Sequence, residues 1–391
     1  MRKNSIIFFV LFITLNAFAQ QIKKIDGSTI SIATLQGKIE VLMKSANVSG
    51  LCISVFNDNE PIFTKAFGLA NVPENMPLKS SSVIYGASFS KAVFGYIAMQ
   101  MVEEKIIDLD KPLQDYLKKP LPDYIIPGWK RGYQDLKGDE RYKKITARMC
   151  LDHTTGFPNW RWFEADKKIK IKSDPGSRYG YSGEGIYLLQ FVIEQITGKD
   201  YETICRERVF IPFQMTNTSM VWQKRFEDNI CFGHNAKGEI YELMKWKEAS
   251  AAGSMSTTLD DYTKFFIILM QGKGLSETSF EELIKPQVRI KSRQQFGPDA
   301  LVDCNDNDEI ELSYGLGVGV MKTIYGRAFF KEGHDDGWGH YSVAFPDKKI
   351  AIVIMTNNDN GETIFKELLQ TAIGDTFTPW KWENYIPYNM K

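Results

Sequence analysis

Hydrophobic and polar positions follow two periods along this chain, and the two periods predict strands near both ends and helices elsewhere. Between Leu35 and Met43 the apolar residues recur on one face of a helix, which Thr34 is expected to cap. Alternating patterns predict strands over 50–56, 61–68, 315–322, 327–332, 341–345 and 349–356. A polar turn at 57–60 joins the first two strands, and Pro346 with Asp347 turns the last pair.

The middle of the chain, about 118–313, has a different pattern. Loops rich in proline, glycine, lysine and aromatic residues alternate there with helical stretches, of which 185–198 is the clearest because it ends at Gly198. A further helix is predicted over 362–373. The aromatic tail from Trp380 to Tyr388 is expected to dock on the surface.

Strands near both ends with helices between them predict an α+β fold. We expect an antiparallel sheet whose two halves meet in space, in an α/β lobe formed by about 35–117 and 314–375. A mostly helical insertion, about 118–313, interrupts this lobe within a single domain over 20–391. The cleft between lobe and insertion is the expected place for a site.

Composition describes an ordinary folded chain without a strong charge field. Of the 391 residues, 43% are hydrophobic and 13% aromatic. Lys plus Arg and Asp plus Glu each number 48, so the zero net charge gives no reason to expect nucleic acid as a partner. The five cysteines are scattered, and we expect buried thiols, or at most one bridge, rather than a disulfide framework or a zinc site.

Residues 1–19 have the pattern of a secretory leader. Arg2 and Lys3 precede an apolar stretch over 6–15, and the small residues Ala17 and Ala19 follow it. We expect cleavage after Ala19 and a periplasmic or secreted protein. The apolar stretch is short for a membrane span and no other segment is long enough, so no stable membrane anchor is expected.

Ser88 and Lys91 form the only Ser-x-x-Lys pattern in the chain, at the start of an apolar helical run to Lys105. That spacing places a hydroxyl and an ammonium one turn apart on one face of a helix. A partly desolvated lysine can take the serine proton, and the helix N-terminus favours a developing oxyanion. The pair predicts a nucleophile and its base; a helix-start serine beside an unrelated surface lysine is the alternative.

Two further segments predict partners for this pair. The glycine-rich loop 175–185 delivers Tyr181, whose phenol can relay a proton to the leaving group and whose anion a nearby ammonium would favour. Between two predicted strands, His334 can bond a substrate carboxylate or the relay, and the Gly337 N–H can complete an oxyanion hole with that of Ser88. A tyrosine packed at a helix entry and a turn with a surface histidine are the structural alternatives.

With these residues, the chain resembles the serine β-lactamase-like family, which includes class C β-lactamases, D-Ala-D-Ala carboxypeptidases, esterases and D-aminopeptidases. Residues 88–91 match its Ser-x-x-Lys motif, 181–183 its Tyr-x-Asn motif, and 334–336 the place of its Lys-Thr-Gly or His-x-Gly motif. Stretches 145–158, 251–261 and 350–358 also resemble family segments, and the likeness runs in family order over about 35–375.

The resemblance implies a β-lactamase/transpeptidase-like fold and a serine hydrolase that forms an acyl-enzyme on Ser88. Lys91 and Tyr181 would be its general base and acid, with no cofactor and no metal. His153 resembles a structural histidine of the family, so no chemistry is assigned to it.

Departures from the family motifs bear on the substrate. Gly183, expected in the substrate-binding part of the site, stands where the family usually has an asparagine. A histidine followed by Asp335 and Asp336 replaces the lysine motif, and with His334 neutral this wall is expected to repel a carboxylate. The sequence therefore favours an esterase or an amidase/peptidase for neutral or amine-bearing small molecules over an efficient β-lactamase.

Three alternatives stay open. One is a D-Ala-D-Ala carboxypeptidase or β-lactamase-type enzyme for cell-wall peptides or β-lactams, and another is a binding protein that kept the fold without activity. A metal hydrolase using the four histidines is disfavoured, since they are dispersed and no His-Glu-x-x-His is present. Neither the natural substrate nor the oligomeric state follows from the sequence.

Overall fold

The computed structural model describes residues 20–126 and 132–390. The leader predicted over 1–19 lies outside the described residues. The helices are α1 (Ile32–Ala46), α2 (Phe89–Glu103), α3 (Ala147–Leu151), α4 (Gly183–Thr197), α5 (Tyr201–Cys205), α6 (Leu259–Gln271), α7 (Glu277–Ile284), α8 (Phe365–Ala372) and α9 (Trp380–Glu383). The strands are β1 (Gln21–Lys23), β2 (Thr29–Ser31), β3 (Gly50–Asn57), β4 (Glu60–Asn71), β5 (Met76–Pro77), β6 (Ile84–Tyr85), β7 (Ser256–Thr257), β8 (Val288–Arg289), β9 (Ser313–Tyr314), β10 (Gly319–Thr323), β11 (Gly326–Asp335), β12 (Trp338–Phe345) and β13 (Ile350–Thr356).

A nine-stranded antiparallel sheet holds the molecule together, in the order β5-β4-β3-β13-β12-β11-β10-β9-β8. Inside it β3 pairs with β13, and Ser54 lies opposite Val353. The first and last parts of the chain therefore meet inside one sheet, which confirms the predicted α+β fold.

Helices cover both faces of this sheet. Helix α1 lies against α8, and α1 and α8 pack on one face together with the C-terminal tail. Helix α2 lies on the other face, where it contacts β11 and α7 and is buried almost all round. Burial on every side explains why α2 reads as a continuous apolar run.

Helix α1 begins earlier than its pattern predicts. The Ser31 side chain, rather than Thr34, caps the helix, and its Oγ accepts the Thr34 N–H at 3.1 Å. The apolar face is as predicted, with Leu35 and Ile39 buried against the sheet. Both residues can act as caps, so the error is a choice between two hydroxyls three positions apart.

The β11–β12 hairpin is longer than the sequence suggests. His334 and Asp335 pair with Gly339 and Trp338, so the segment expected to connect two strands is itself mostly strand. Of the predicted strand 315–322, only 319–322 form a strand, as part of β10, since β9 already ends at Tyr314. Gly317 causes the break, because its φ of 91° belongs to a turn and not to a strand.

The aromatic tail is not a surface attachment, and that prediction is wrong. Trp382 is 1% exposed, and its indole N–H donates to Ser292 Oγ at 3.0 Å. The Gln295 N–H donates to the Trp382 carbonyl at 2.9 Å. Helix α9 is therefore built into the core and carries Glu383 to the wall of a cavity.

All five cysteines are free thiols, and four of them are buried. The structure therefore contains no bridge between them. Within 20–126 and 132–390, no helix combines the length and the apolar character needed to cross a bilayer.

Candidate active site

Ser88 lies at the first turn of α2, on a strained piece of backbone. The preceding residue, Ala87, is buried with φ at 44°, in the left-handed region that residues with a side chain rarely occupy. Ser90 fixes this turn, since its Oγ donates to the Ala87 carbonyl at 2.7 Å and accepts the Met255 N–H at 3.1 Å. The turn presents Ser88 to a cavity of about 780 Å³.

Lys91 is completely buried beneath Ser88. Its Nζ lies 2.9 Å from Ser88 Oγ and 2.5 Å from the Ala252 carbonyl oxygen. Burial, and then the charge of Lys331, hold the pKa of Lys91 well below its usual value. Both effects favour the neutral amine, which is the state that a base requires.

Tyr181 completes a group of three side chains around one oxygen. Its OH donates to Ser88 Oγ at 3.1 Å. The His153 ring packs on the Tyr181 ring at 4.3 Å between centroids, and His153 Nδ1 accepts the Ser182 N–H at 3.2 Å. Burial, and then Glu332, raise the pKa of Tyr181. The phenol therefore stays protonated, contrary to the expectation that a nearby ammonium favours its anion.

Trp160 explains the glycine at position 183. A side chain added at Gly183 would begin 2.2 Å from the Trp160 ring, so no asparagine fits while that ring stays in place. Trp160 lines the cavity, and Lys91 Nζ lies 5.8 Å from the ring centroid. Gly183 does not itself line the cavity; the indole occupies the wall above it.

A buried ion pair holds the Trp160 loop against α4. Arg161 donates to Glu184 through Nε at 2.9 Å and through Nη2 at 2.7 Å, and its backbone N–H donates to the same carboxylate at 3.0 Å. The two side chains are 5% and 0% exposed. Such a bidentate pair fixes orientation as well as distance, so it sets where the indole lies.

His334 lies on the far wall of the cavity, but in a different charge state from the one expected. Its Nδ1 lies 2.8 Å from Glu362 Oε1, and this contact raises the pKa of His334 to about 9. The expectation of a neutral imidazole at pH 7 is therefore wrong. Asp335 and Asp336 also line the cavity, and burial raises the pKa of Asp335.

Gly337 does not contribute to an oxyanion hole. Its N–H donates to Asp359 Oδ1 at 2.6 Å, and the residue does not line the cavity that contains Ser88. The prediction failed because β11 continues to Asp335, which places Gly337 in the tight turn beyond the site.

Lys331 and Glu332 are neighbours of the site that the motif analysis missed. Lys331 Nζ lies 3.4 Å from Tyr181 OH and 2.6 Å from Glu332 Oε1, and both side chains are nearly fully buried. Two consecutive charged residues after Phe329 and Phe330, inside a predicted strand, were the available signal. A buried lysine in contact with Tyr181 adds a positive charge close to the reacting oxygen.

The histidines are not arranged to hold a metal. His234 Nδ1 lies 3.0 Å from the Asn357 carbonyl oxygen, and His340 Nε2 lies 2.7 Å from that of Tyr85. Across the described ranges, no three residues of histidine, cysteine, aspartate or glutamate are grouped as a metal site would require. The metal-hydrolase alternative therefore finds no site in this part of the chain.

Comparison with known proteins places the fold and the family. A penicillin-binding protein of Bacillus subtilis is 23% identical over 86% of this chain and 74% of its own length. A beta-lactamase of Yersinia enterocolitica is 20% identical over 92% of this chain and 95% of its own. The solved octameric penicillin-binding protein homologue of Pyrococcus abyssi superimposes with a TM-score of 0.69 at 17% identity, over 90% of this chain and 79% of that one. The Beta-lactamase family model matches residues 35–372, and the chain therefore belongs to the beta-lactamase family of hydrolases.

Proposed function

We propose that this protein is a serine hydrolase that forms an acyl-enzyme on Ser88. The observation that carries the proposal is the buried Lys91 amine, 2.9 Å from Ser88 Oγ and with a lowered pKa. A neutral amine at that distance can remove the serine proton as Oγ attacks a carbonyl carbon. Tyr181, whose OH lies 3.1 Å from Ser88 Oγ, would protonate the leaving atom.

The reaction then runs in two halves. In the first, Lys91 receives the Ser88 proton, the carbonyl oxygen becomes an oxyanion, and the leaving group departs with a proton supplied through Tyr181. The acyl-enzyme is then hydrolysed by a water whose proton passes to the same groups. The Ser88 N–H would bind the oxyanion, with a second N–H from β11, because beyond Phe330 that strand has no neighbour on the β10 side.

We infer that the substrates are esters, or amides and peptides, rather than β-lactams. The β-lactamase-type lysine is absent from position 334, and His334 is already paired with Glu362. Asp335 and Asp336 remain on the same wall. A carboxylate-bearing substrate would therefore meet net negative charge, while a neutral ester would not.

The direct test is the mass of the protein after incubation with p-nitrophenyl acetate, nitrocefin or an acyl-D-Ala-D-Ala peptide. We expect an acyl adduct on Ser88 from the ester, none in Ser88→Ala, and slower turnover of the other two reagents. Equal turnover of nitrocefin or the peptide would favour a β-lactamase or carboxypeptidase. A folded wild-type protein that no reagent acylates, including a fluorophosphonate, would indicate a binding protein instead.

We also propose that the protein acts outside the cytoplasm, on the basis of the leader pattern over 1–19. Expression with the full leader should yield a mature protein that begins at Gln20, which N-terminal sequencing of periplasmic and cytoplasmic fractions can measure. An uncleaved N-terminus in the cytoplasmic fraction would contradict export.

A further inference from the structure

The cavity beside Ser88 contains two buried carboxyl groups that the proposed chemistry does not use. Glu332, on β11, and Glu383, on α9, are 3% and 5% exposed, and both line the cavity. Glu332 Oε1 accepts from Lys331 Nζ at 2.6 Å and from Gln295 Nε2 at 2.9 Å. Glu332 Oε2 and both carboxyl oxygens of Glu383 have no hydrogen-bond partner among the described residues.

Three buried carboxyl oxygens without donors are costly, because buried polar groups are almost always hydrogen-bonded. Lys331 contacts Glu332 alone of the two, and its ammonium already donates to Glu332 Oε1. Burial, and then the charge of Glu332, raise the pKa of Glu383, so the two carboxyls resist carrying two negative charges without a further cation. A ligand with one positive charge and several N–H donors would supply both the missing cation and the missing hydrogen-bond donors.

The cavity as a whole also has more carboxyl groups than cations in its lining. Carboxyl side chains of Glu164, Glu332, Asp335, Asp336, Glu362 and Glu383 line it. Its described lining cations, Lys172 and His334, are each within 2.8 Å of a carboxylate, that of Glu164 or Glu362. Aromatic rings of Tyr179, Tyr181, Phe296 and Tyr385 also face this space. A cavity with more carboxyl groups than cations, and with aromatic rings beside them, favours the binding of an organic ammonium.

The position of the pair relative to Tyr181 indicates which part of a substrate would reach it. Tyr181 OH lies 3.1 Å from Ser88 Oγ and 3.4 Å from Lys331 Nζ, and Lys331 in turn contacts Glu332. Glu332 therefore lies on the Tyr181 side of the nucleophile, and the charge of Glu383, after that of Glu332, also raises the pKa of Tyr181. In the proposed reaction this is the side of the leaving group, since Tyr181 protonates the leaving atom.

We propose that Glu332 and Glu383 form a subsite for a primary ammonium carried by the leaving group, a few bonds from the scissile ester or amide. The inference rests on the proposed acyl-enzyme function and narrows its substrate class to esters of amino alcohols and amides of diamines. The ammonium would donate to Glu332 Oε2 and to Glu383, the oxygens that have no other donor.

The test compares the benzoyl amides of n-pentylamine and 1,5-diaminopentane, which differ by one terminal ammonium. The shorter benzoyl amides of n-propylamine and 1,3-diaminopropane form a second matched pair. We expect kcat/KM for the better ammonium substrate to exceed that of its neutral partner at least tenfold at pH 7. In Glu383→Gln, which keeps the side-chain shape, this ratio should fall about tenfold. Glu164→Gln is the control, because it removes another carboxylate that lines the same cavity, one that is paired with Lys172, and it should leave the ratio within twofold.

Three results would overturn the subsite. Equal rates for ammonium and neutral substrates in wild-type protein would do so, whatever the variants show. An equal loss of preference in Glu164→Gln and Glu383→Gln would mean a general field without a specific subsite. The third result is faster turnover of the p-nitrophenyl ester of 6-aminohexanoate than of hexanoate. It would place the ammonium subsite on the acyl side of the nucleophile and not on the leaving-group side. In each case Ser88 would still be acylated by p-nitrophenyl acetate; failure of that acylation would reject the proposed function itself.

Discussion

Lys91 is the residue on which the proposed chemistry depends most, because no other base touches Ser88 Oγ among the contacts of the described residues. In Lys91→Arg the guanidinium keeps its proton at any working pH, so the base is lost while the positive charge stays. We expect kcat/KM for p-nitrophenyl acetate to fall by about 10² to 10⁴. Lys172→Arg is a matched control at the cavity rim, where Lys172 pairs with Glu164, and it should stay near wild type. Near-normal turnover in Lys91→Arg would reduce Lys91 to an electrostatic or structural role.

The pH profile reports the same amine. A base works only when deprotonated, so kcat/KM should fall as the pH drops through the Lys91 pKa, which lies well below its usual value. Lys331 lowers that pKa and Glu332 raises it. Lys331→Met should therefore move the acidic limb of the profile to higher pH, and Glu332→Gln should move it to lower pH. Shifts in the same direction, or none, would show that the limb belongs to another group.

At the scale of single residues, the sequence predicts the parts of the site that are encoded locally. The spacing of Ser88 and Lys91 is a helical turn, so their contact follows from the chain itself. The positions that failed depend on distant segments. The Gly337 N–H donates to Asp359 Oδ1, and the Trp160 ring lies against Gly183. No local pattern specifies those contacts, because they arise only when loops far apart in sequence are packed together.

At the scale of elements, the Arg161–Glu184 pair is the main link between the Trp160 loop and α4. Glu184→Ala would leave a buried guanidinium without its carboxylate, so we expect the free energy of unfolding to fall by about 3–5 kcal/mol. Glu207→Ala is the control, since Glu207 forms an exposed pair with Lys199 and should cost less than about 1 kcal/mol. Urea unfolding at pH 7 measures both. If both variants lose the same free energy of unfolding, the buried Arg161–Glu184 pair contributes no more to stability than the exposed Lys199–Glu207 pair.

Element boundaries were predictable where one period dominates and unpredictable where tertiary contacts extend or divide an element. Helix α4 ends at Thr197 and is capped by Gly198, the expected stop, because a glycine readily adopts the φ of 67° found there. Strand β11 continues through His334 because pairing with β12 outweighs the polar character of that segment. Helix α9 is buried although it lies in a tail, because Trp382 fills a place in the core that only the folded molecule provides.

At the scale of the whole molecule, the meeting of the two chain ends in one sheet has a direct consequence for the site. The nucleophile comes from α2, early in the chain, whereas Lys331 and His334 come from β11, near its end. The pairing of β3 with β13 brings these segments together. The alternating patterns at both ends predicted this closure, but they could not predict the charge of the wall that it creates.

The charge of that wall can be tested as a property of the whole cavity. His334→Lys alone should not help a carboxylate substrate, because the lysine would replace an already protonated histidine in the pair with Glu362. Glu362→Gln alone should not help either, since it removes the contact that keeps His334 protonated and so leaves the total charge of the pair unchanged. The double variant His334→Lys/Glu362→Gln gives the wall one unpaired positive charge.

In that double variant, we expect the preference for p-nitrophenyl acetate over nitrocefin, measured as a ratio of kcat/KM at pH 7, to narrow roughly tenfold. The size follows from one added unit charge near a substrate carboxylate in a partly solvated cleft, where the attraction is a few kcal/mol at most. If His334→Lys alone narrows the ratio as much, Glu362 does not neutralise this position in solution. If the double variant leaves the ratio unchanged, then charge is not what excludes β-lactams. The shape of the cavity would exclude them, above all the Trp160 indole, which lies where the family has an asparagine side chain.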